Sequence, residues 1–555
     1  MTGHGDLASL LLASSPANIF SRRIKRKKII VIMFAISLLR YTSLSFTNQL
    51  FRKRSYINQR SSPAPTLSCQ KDEISVVAEE AKRVPRNFVP VPFRYHEELI
   101  LTVETLTNLG VGIGRVDISA YPSRTVDASE TKHSNGQNFG LGWVIMVPNV
   151  IPGEVVRVRI YRNYKTYSEA DLVNIITSSP HRITPKCPLF EECGGCQYQH
   201  IPIRLQRVYK QEQVQQLLDR AIECKDTAVP SVLPTLGTED EYHYRSKITP
   251  HYNAPTAGSA SIGPIGFNRK NGSQRAILDV EHCVIATRPI NDKLLLLRKE
   301  LREKALNGTL KRPSRGATLL LRHYGKDEVT TDPNQLVSTT VNKLRFSFLA
   351  GNFFQNNPFV LPLMVQHVVD GAAFSKSGRK MTHLIDCYCG SGLFCLSASH
   401  LFETCVGIEV NEKAIIEARC NGKLNNIENC SFIAASAEAI FESNDLIQWS
   451  KGDEKGEAKV CCVRDFPRET TAVVLDPPRK GCSPEFMEQL YKYQPQRVIY
   501  MSCDPSTQAR DANGLVSNGY EIVSIQPFDL FPQTRHIETL IIFERRFINK
   551  VHSEQ

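Results

Sequence analysis

The chain has 555 residues, is 41% hydrophobic and carries a formal net charge of +12. That length suits about three domains and that apolar share suits packed cores, which excludes a disordered chain and a disulfide-stapled mini-domain. The charge does not describe a polycation. Residues 1–60 hold eleven Lys/Arg against the single acid Asp6, which leaves +2 for the rest, so nucleic-acid contacts must come from local patches.

In chain order, the basic run Arg22–Lys28 precedes the apolar run Ile29–Leu39. The latter is shorter than the ~20 residues a membrane span needs. A signal-like segment followed by an Arg/Ser-rich, acid-poor stretch to Arg60 predicts organelle import, plastid favoured over mitochondrion, and no membrane span in the mature chain. Residues 61–95 read as a Pro/Ser-rich linker.

Residues 96–178 alternate apolar and polar in short runs separated by turn signals such as Pro152-Gly153, the pattern of a small β-barrel. Gly110-Val-Gly-Ile-Gly-Arg115 reads as a glycine-rich bend, and 123–138 as a polar insertion. Arg157, Arg159, Arg162 and Lys165 are expected to track phosphates. The pattern resembles the TRAM domain, which implies an OB-like RNA-binding barrel.

Residues 179–350 read as a central α+β domain. It opens with Cys187, Cys193 and Cys196, in C-x5-C-x2-C spacing within a Pro/Gly loop. Short spacers keep three thiolates on one side of a turn, where they suit one metal centre. Cys283 is the chosen fourth ligand, with Cys224 and His282 as rivals. Spacing does not separate zinc from a [4Fe–4S] cluster. The stretch Arg182–His200 resembles the cluster loop of one branch of the RNA 5-methyluridine methyltransferases, which implies iron–sulfur. Leu205–Ile222 reads as a helix with an apolar face, and basic and aromatic residues interleave at 244–248 and 265–270.

From 351 to 547, strands and helices alternate, which predicts a mostly parallel sheet covered on both faces. The strands are read at 383–387, 404–408, 430–434, 471–475, 497–501, 520–525 and 539–545, with a long polar loop at 443–470. Four chemistry-bearing residues fall at strand carboxyl ends: Asp386, Glu409, Asp476 and Cys503. Ligands of open α/β sheets bind at that edge. Asp386-Cys-Tyr-Cys-Gly-Ser-Gly392, with an acid 23 residues after Asp386, suits a nucleoside cofactor. The chain lacks the G-x-G-x-x-G of dinucleotide folds, so S-adenosylmethionine is the expected cofactor. Cys503 stands before a helix start, which should favour its thiolate.

With Phe353-Phe-Gln-Asn-Asn357, Asp476-Pro-Pro-Arg479, Ser502-Cys-Asp-Pro505 and Phe531-Pro-Gln-Thr-Arg-His-Ile-Glu538, the chain from about residue 96 onward resembles the RNA uridine-5 methyltransferases that combine a TRAM domain, an iron–sulfur loop and a Rossmann-like methyltransferase domain. The resemblance implies that Gln355, Tyr388, Glu409, Ser436 and Asp476 contact S-adenosylmethionine, that Cys503 is a nucleophile and that Glu538 is a base. Asp504, where the family usually has Asn, and Leu393, where it has a polar residue, depart from the pattern. The implied substrate is RNA with an unpaired or flipped uridine, ribosomal RNA favoured and transfer RNA the alternative, acted on by a monomer. Two rival readings are a cytosine-5 methyltransferase, which wants a Pro-Cys nucleophile where Arg479 stands, and a non-catalytic RNA-binding iron–sulfur protein.

Overall fold

The computed structural model describes residues 84–546 apart from 86, 119–141, 223–228, 254, 256–260, 271–275, 311–315, 441–448, 453–457 and 462. The expected import segment, linker residues 61–83 and 86, the 123–138 insertion and Cys224 lie outside the described residues. The rest belongs to one compact unit. Among the described residues, no helix is long and apolar enough to cross a membrane.

The first sheet contains β1 (Glu98–Thr102), β2 (Thr105–Leu106), β3 (Val111–Val116), β4 (Trp143–Pro148), β5 (Val155–Asn163) and β6 (Tyr167–Thr177), in the order β1-β5-β6-β4-β3-β2. β1 and β2 are one strand interrupted at Val103-Glu104. Its first half pairs with β5 and its second with β3, so the sheet closes on itself. The glycine-rich stretch is mostly strand rather than bend. Only Gly110 turns the chain, at φ +73°, while Gly112 and Gly114 point inward from β3. A Cβ on Gly112 would lie 2.3 Å from Val150 Cγ2, and one on Gly114 2.5 Å from Leu101 Cδ1. The arginines expected to track phosphates are largely engaged. Glu98 pairs with Arg157 (3.6 Å) and Arg159 (2.8 Å), and Glu169 lies 4.0 Å from Arg162.

Helix α1 (Ile203–Ala221) follows the cysteine loop. Small antiparallel sheets and helix α2 (Arg288–Leu306) then lead to the hairpin Leu336–Val341/Leu344–Leu349 and helix α3 (Leu361–Ala373). The apolar face expected of α1 is buried, but polar residues share it. Val214 and Leu218 are buried, and so are Gln206, Lys210 and Gln213 at helical spacing.

The large sheet has seven strands: β7 (His383–Cys387), β8 (Thr404–Glu409), β9 (Cys430–Ala434), β10 (Thr471–Leu475), β11 (Arg497–Ser502), β12 (Tyr520–Phe528) and β13 (Glu538–Arg545), in the order β9-β8-β7-β10-β11-β13-β12. The first five are parallel. β13 runs antiparallel between β11 and β12. Helices α4 (Leu393–Ala398), α5 (Glu412–Leu424), α6 (Pro484–Tyr493) and α7 (Pro505–Ser517) lie between strands. Central strands such as β10 and β11 are buried along their whole length, which is why they read as continuous apolar runs. A short hairpin, Trp449–Gly452 with Ala458–Cys461, sits within the expected polar loop.

Candidate active site

The carboxyl edge of the large sheet gathers the acids that the strands deliver. Asp386 is fully buried on β7. Its Oδ2 accepts from Cys395 N at 3.0 Å, while its Oδ1 is buried with no hydrogen-bond partner. Burial holds its pKa well above the usual carboxylate range. The chain then turns through Tyr388 at φ +70°, Gly390 at +54° and Gly392 at +89°. A Cβ on Gly390 would meet nothing within 4 Å, so the loop leaves open space over its backbone. Glu409, ending β8, accepts from Gly390 N (3.3 Å) and Asn411 N (2.9 Å), which ties the loop to the next strand. An orphaned acid atom, an open glycine and an acid on the neighbouring strand fit a nucleoside-bearing cofactor.

The other expected cofactor residues are placed less uniformly. Asp476 directly follows β10 and is pushed up to about 7 by burial. Ser436 spends its hydroxyl on Glu438, whose other oxygen accepts from Ser483 Oγ at 2.9 Å. Glu438 had no motif to announce it. Gln355 sits half-buried between Phe354, stacked on Phe348 (centroids 4.4 Å apart), and Asn357, which donates to Leu530 O at 2.9 Å.

Cys503 and Glu538 meet through strand register. Ser502 on β11 pairs with Thr539 on β13, so the next residues, Cys503 and Glu538, stand opposite each other. Gln508 of α7 donates to Tyr500 O and Thr539 O, both at 2.9 Å, and staples the two strands there. Glu538 is buried, and burial followed by the charge of Asp476 holds it well above the carboxylate range. Cys503 is pushed up to about 11, first by burial and then by Glu538 and Asp476; a hydrogen bond and the charge of Arg479 act the other way. The expected ionising effect of the α7 N-terminus does not prevail. Asp504, the N-cap, accepts from Ser506 N (3.0 Å) and Thr507 N (3.4 Å), so the helix spends those donors on its own cap.

A solvent-open cleft exposes Cys503. Arg479, Arg535, His536 and, from the barrel, Asn108 and Leu109 share its walls. Thr507 Oγ1 holds Arg479 by its carbonyl at 3.2 Å. Burial and the nearby cations Arg479 and Arg535 lower His536 to about 4, so its imidazole is neutral at physiological pH. Asn108 Nδ2 donates to Ser506 Oγ at 2.9 Å across 398 residues of sequence. Sequence reasoning missed Asn108 because nothing in a barrel turn announces such a long-range neighbour. Arg479 was legible as the cation closing the Asp476-Pro-Pro motif.

Cys187, Cys196 and Cys283 pack around Phe190, Tyr244 and Ile285. Cys193 joins them electrostatically: burial raises all four thiols, and neighbouring thiols raise Cys193, Cys196 and Cys283 further. Lys270 lies 4.2 Å over the Phe190 ring, lowered to about 8 by burial while the thiols oppose that shift. Four thiols are a donor set that both zinc and an iron–sulfur cluster use. Among the described residues, no group of three or more His, Cys, Asp or Glu is arranged to hold a metal ion. The expected rival His282 instead packs edge-on to His243, with centroids 6.0 Å apart.

Comparison with known proteins gives the family of the chain. Residues 286–546 match the family model described as tRNA (Uracil-5-)-methyltransferase. A tRNA (uracil(54)-C(5))-methyltransferase of Schizosaccharomyces pombe is 34% identical over 465 residues, covering 81% of this chain and 79% of the relative. Its namesake in Saccharomyces cerevisiae is 29% identical over 528 residues, covering 82% and 75%. Among solved structures, Pyrococcus abyssi tRNA (uracil-54, C5)-methyltransferase in complex with S-adenosyl-L-homocysteine superposes with a TM-score of 0.54 at 19% identity, covering 80% of this chain and 100% of that one.

Proposed function

The chain belongs to the RNA (uracil-5-)-methyltransferase family, and from that premise we propose that it methylates carbon 5 of an unpaired loop uridine in transfer RNA, using S-adenosylmethionine, through a covalent bond to Cys503. The observation that carries the mechanism is the placement of Cys503 opposite Glu538 at the edge that also holds Asp386, Glu409 and Asp476. Transfer RNA takes precedence over the ribosomal RNA favoured from sequence because both fungal relatives are named for uracil 54 of tRNA.

Carbon 5 of uracil is a weak nucleophile. Addition of the Cys503 thiolate to carbon 6 moves the ring electrons toward carbon 5 and the carbonyl oxygen, as an enolate. S-adenosylmethionine supplies the methyl group on a sulfonium, whose positive charge also favours ionised carboxylates at this edge. Carbon 5 attacks that methyl as the methyl–sulfonium bond breaks, S-adenosylhomocysteine is the leaving group, and carbon 5 then carries both its proton and the methyl. Glu538 takes the proton, the electron pair re-forms the 5,6 double bond, and the carbon–sulfur bond breaks to return the thiolate. Arg479 stabilises that thiolate. Gln355, Tyr388, Glu409, Ser436 and Asp476 line the cofactor side in this reading. Cys187, Cys193, Cys196 and Cys283 hold a [4Fe–4S] cluster outside the chemistry.

The test is nucleoside mass spectrometry of transfer and ribosomal RNA after incubation with the enzyme and S-adenosylmethionine. We expect 5-methyluridine in transfer RNA and none with Cys503→Ala; full turnover by that variant would overturn the nucleophile. Glu538→Gln should accumulate an RNA–protein adduct resistant to denaturation. Iron and sulfide counts after anaerobic purification test the cluster, and zinc without iron, or no metal, rejects it.

A further inference from the structure

The segment Asp529–Ile537 delivers Arg535 and His536 to the cleft and leads directly into Glu538. Its backbone is forced at Gln533, which has φ +68° although it is not glycine. A left-handed residue of this kind persists only where its surroundings impose it. Every polar atom of Gln533 is hydrogen-bonded. Its N donates to Gln206 Oε1 (3.0 Å) and its Oε1 accepts from Gln206 Nε2 (3.0 Å). Its carbonyl accepts from Gln197 N (3.1 Å) and Tyr198 N (3.0 Å), and its Nε2 donates to Glu241 Oε2 (3.3 Å).

These partners come from outside the large sheet. Gln206 is a fully buried residue of α1, and Gln197 and Tyr198 are the exit of the cysteine loop. Gln206 Nε2 also donates to Tyr198 O (3.1 Å) and Ile201 O (2.7 Å), so one amide joins the cysteine loop, the helix and the Gln533 turn. Gln197 Oε1 accepts from Arg535 N at 3.2 Å. One turn further along α1, Lys210 Nζ donates to Asp529 Oδ1 (2.6 Å) and approaches Phe531 O (3.4 Å). The polar stripe on α1 therefore holds the segment that ends at Glu538. Cys503 is held by a different set of contacts, those of β11 and α7.

We infer that Gln206 and Gln533 are positioning residues for proton removal. Their amide clamp, seated on the cysteine loop, sets Glu538 against the ring bound to Cys503 without touching that ring. This rests on the methyltransferase reading above. Displacing the clamp slows loss of the carbon 5 proton more than addition of the thiol, because of the two reacting groups, Cys503 and Glu538, only Glu538 is continuous with the clamped segment. A displacement of about 1 Å at a reacting group can cost roughly a hundredfold in rate.

The test uses the full chain with Gln533→Gly and Gln206→Met. Glycine tolerates φ +68° and keeps the main-chain hydrogen bonds, so Gln533→Gly should fold even if Gln206→Met does not. We expect kcat on transfer RNA to fall roughly tenfold to a hundredfold, KM for RNA to hold within about twofold, S-adenosylmethionine affinity by calorimetry to be unchanged, and the steady-state fraction of covalent RNA adduct to rise. Wild-type kcat and adduct fraction in Gln533→Gly would overturn the assignment. So would loss of cofactor affinity and thermal stability together with activity, the pattern of a merely structural role. If the wild-type chain makes no 5-methyluridine, the methyltransferase reading fails. If the wild type is active and the variant indifferent, only the clamp fails.

Discussion

The Cys503 thiol is surrounded by groups that resist its ionisation, with Arg479 opposing them. Since the thiol is pushed up to about 11, the thiolate fraction grows with pH throughout the neutral range. Adduct formation should therefore accelerate roughly tenfold per pH unit between pH 7 and 9, measured by single-turnover trapping on RNA. Arg479→Ala removes the favourable cation and should lower the rate at pH 7.5 at least about tenfold while keeping the roughly tenfold rise per pH unit, since the wild-type and variant thiols both titrate well above this range. An unchanged rate would show that Arg479 does not support the thiolate. Asp504 makes a separate prediction. Its carboxylate caps α7, so Asp504→Ala should cost about 1 kcal/mol in thermal unfolding and Asp504→Asn almost nothing, since Asn caps equally well. The position of Cys503 was legible because β11 is a buried apolar run that ends abruptly in polar residues. Its protonation was not, since that depends on Glu538 and Asp476, which other strands bring alongside.

Among the elements, α1 and β3 depart furthest from what their sequences suggest. Gln206, Lys210 and Gln213 look like the solvated side of a surface helix, and only the fold shows that they are its buried side. Composition cannot separate the two cases, because a buried polar stripe is stable only when its partners lie elsewhere in the chain, here at Asp529, Gln533 and Thr107. In β3, alternate glycines suggested a turn and are a close-packed strand. Gly114→Ala would place a Cβ 2.5 Å from Leu101 Cδ1 and 2.7 Å from Thr102 O. We expect it to destabilise the barrel by about 1–3 kcal/mol, visible as earlier cleavage of the barrel in limited proteolysis, with little change in cofactor affinity. The strands of the large sheet were legible nearly to the residue, because in a sheet covered on both faces each strand is a continuous apolar run.

At the scale of the whole molecule, buried ionic and amide contacts join the regions before and after residue 350. Lys210 and Asp529 are both fully buried and 2.6 Å apart, with Arg207 Nε at 3.5 Å from the same carboxylate. Lys210→Met should cost about 3–5 kcal/mol, because it removes the hydrogen-bonded partner of a fully buried carboxylate and leaves it only Arg207 at 3.5 Å. The double variant Lys210→Met/Asp529→Leu should recover most of that loss, as read from denaturant midpoints. No such contact could be read from sequence, since its halves are 319 residues apart and neither lies in a motif.

The order of the large sheet also sets when the enzyme can first act. β13 enters between β11 and β12, both of which precede it in the chain, and Glu538 is its first residue. In the proposed mechanism the base arrives with the strand that fills that gap, and the same strand brings Leu540, Ile541 and Phe543 into the core. Fold and catalyst are therefore completed together, by the last strand to be made.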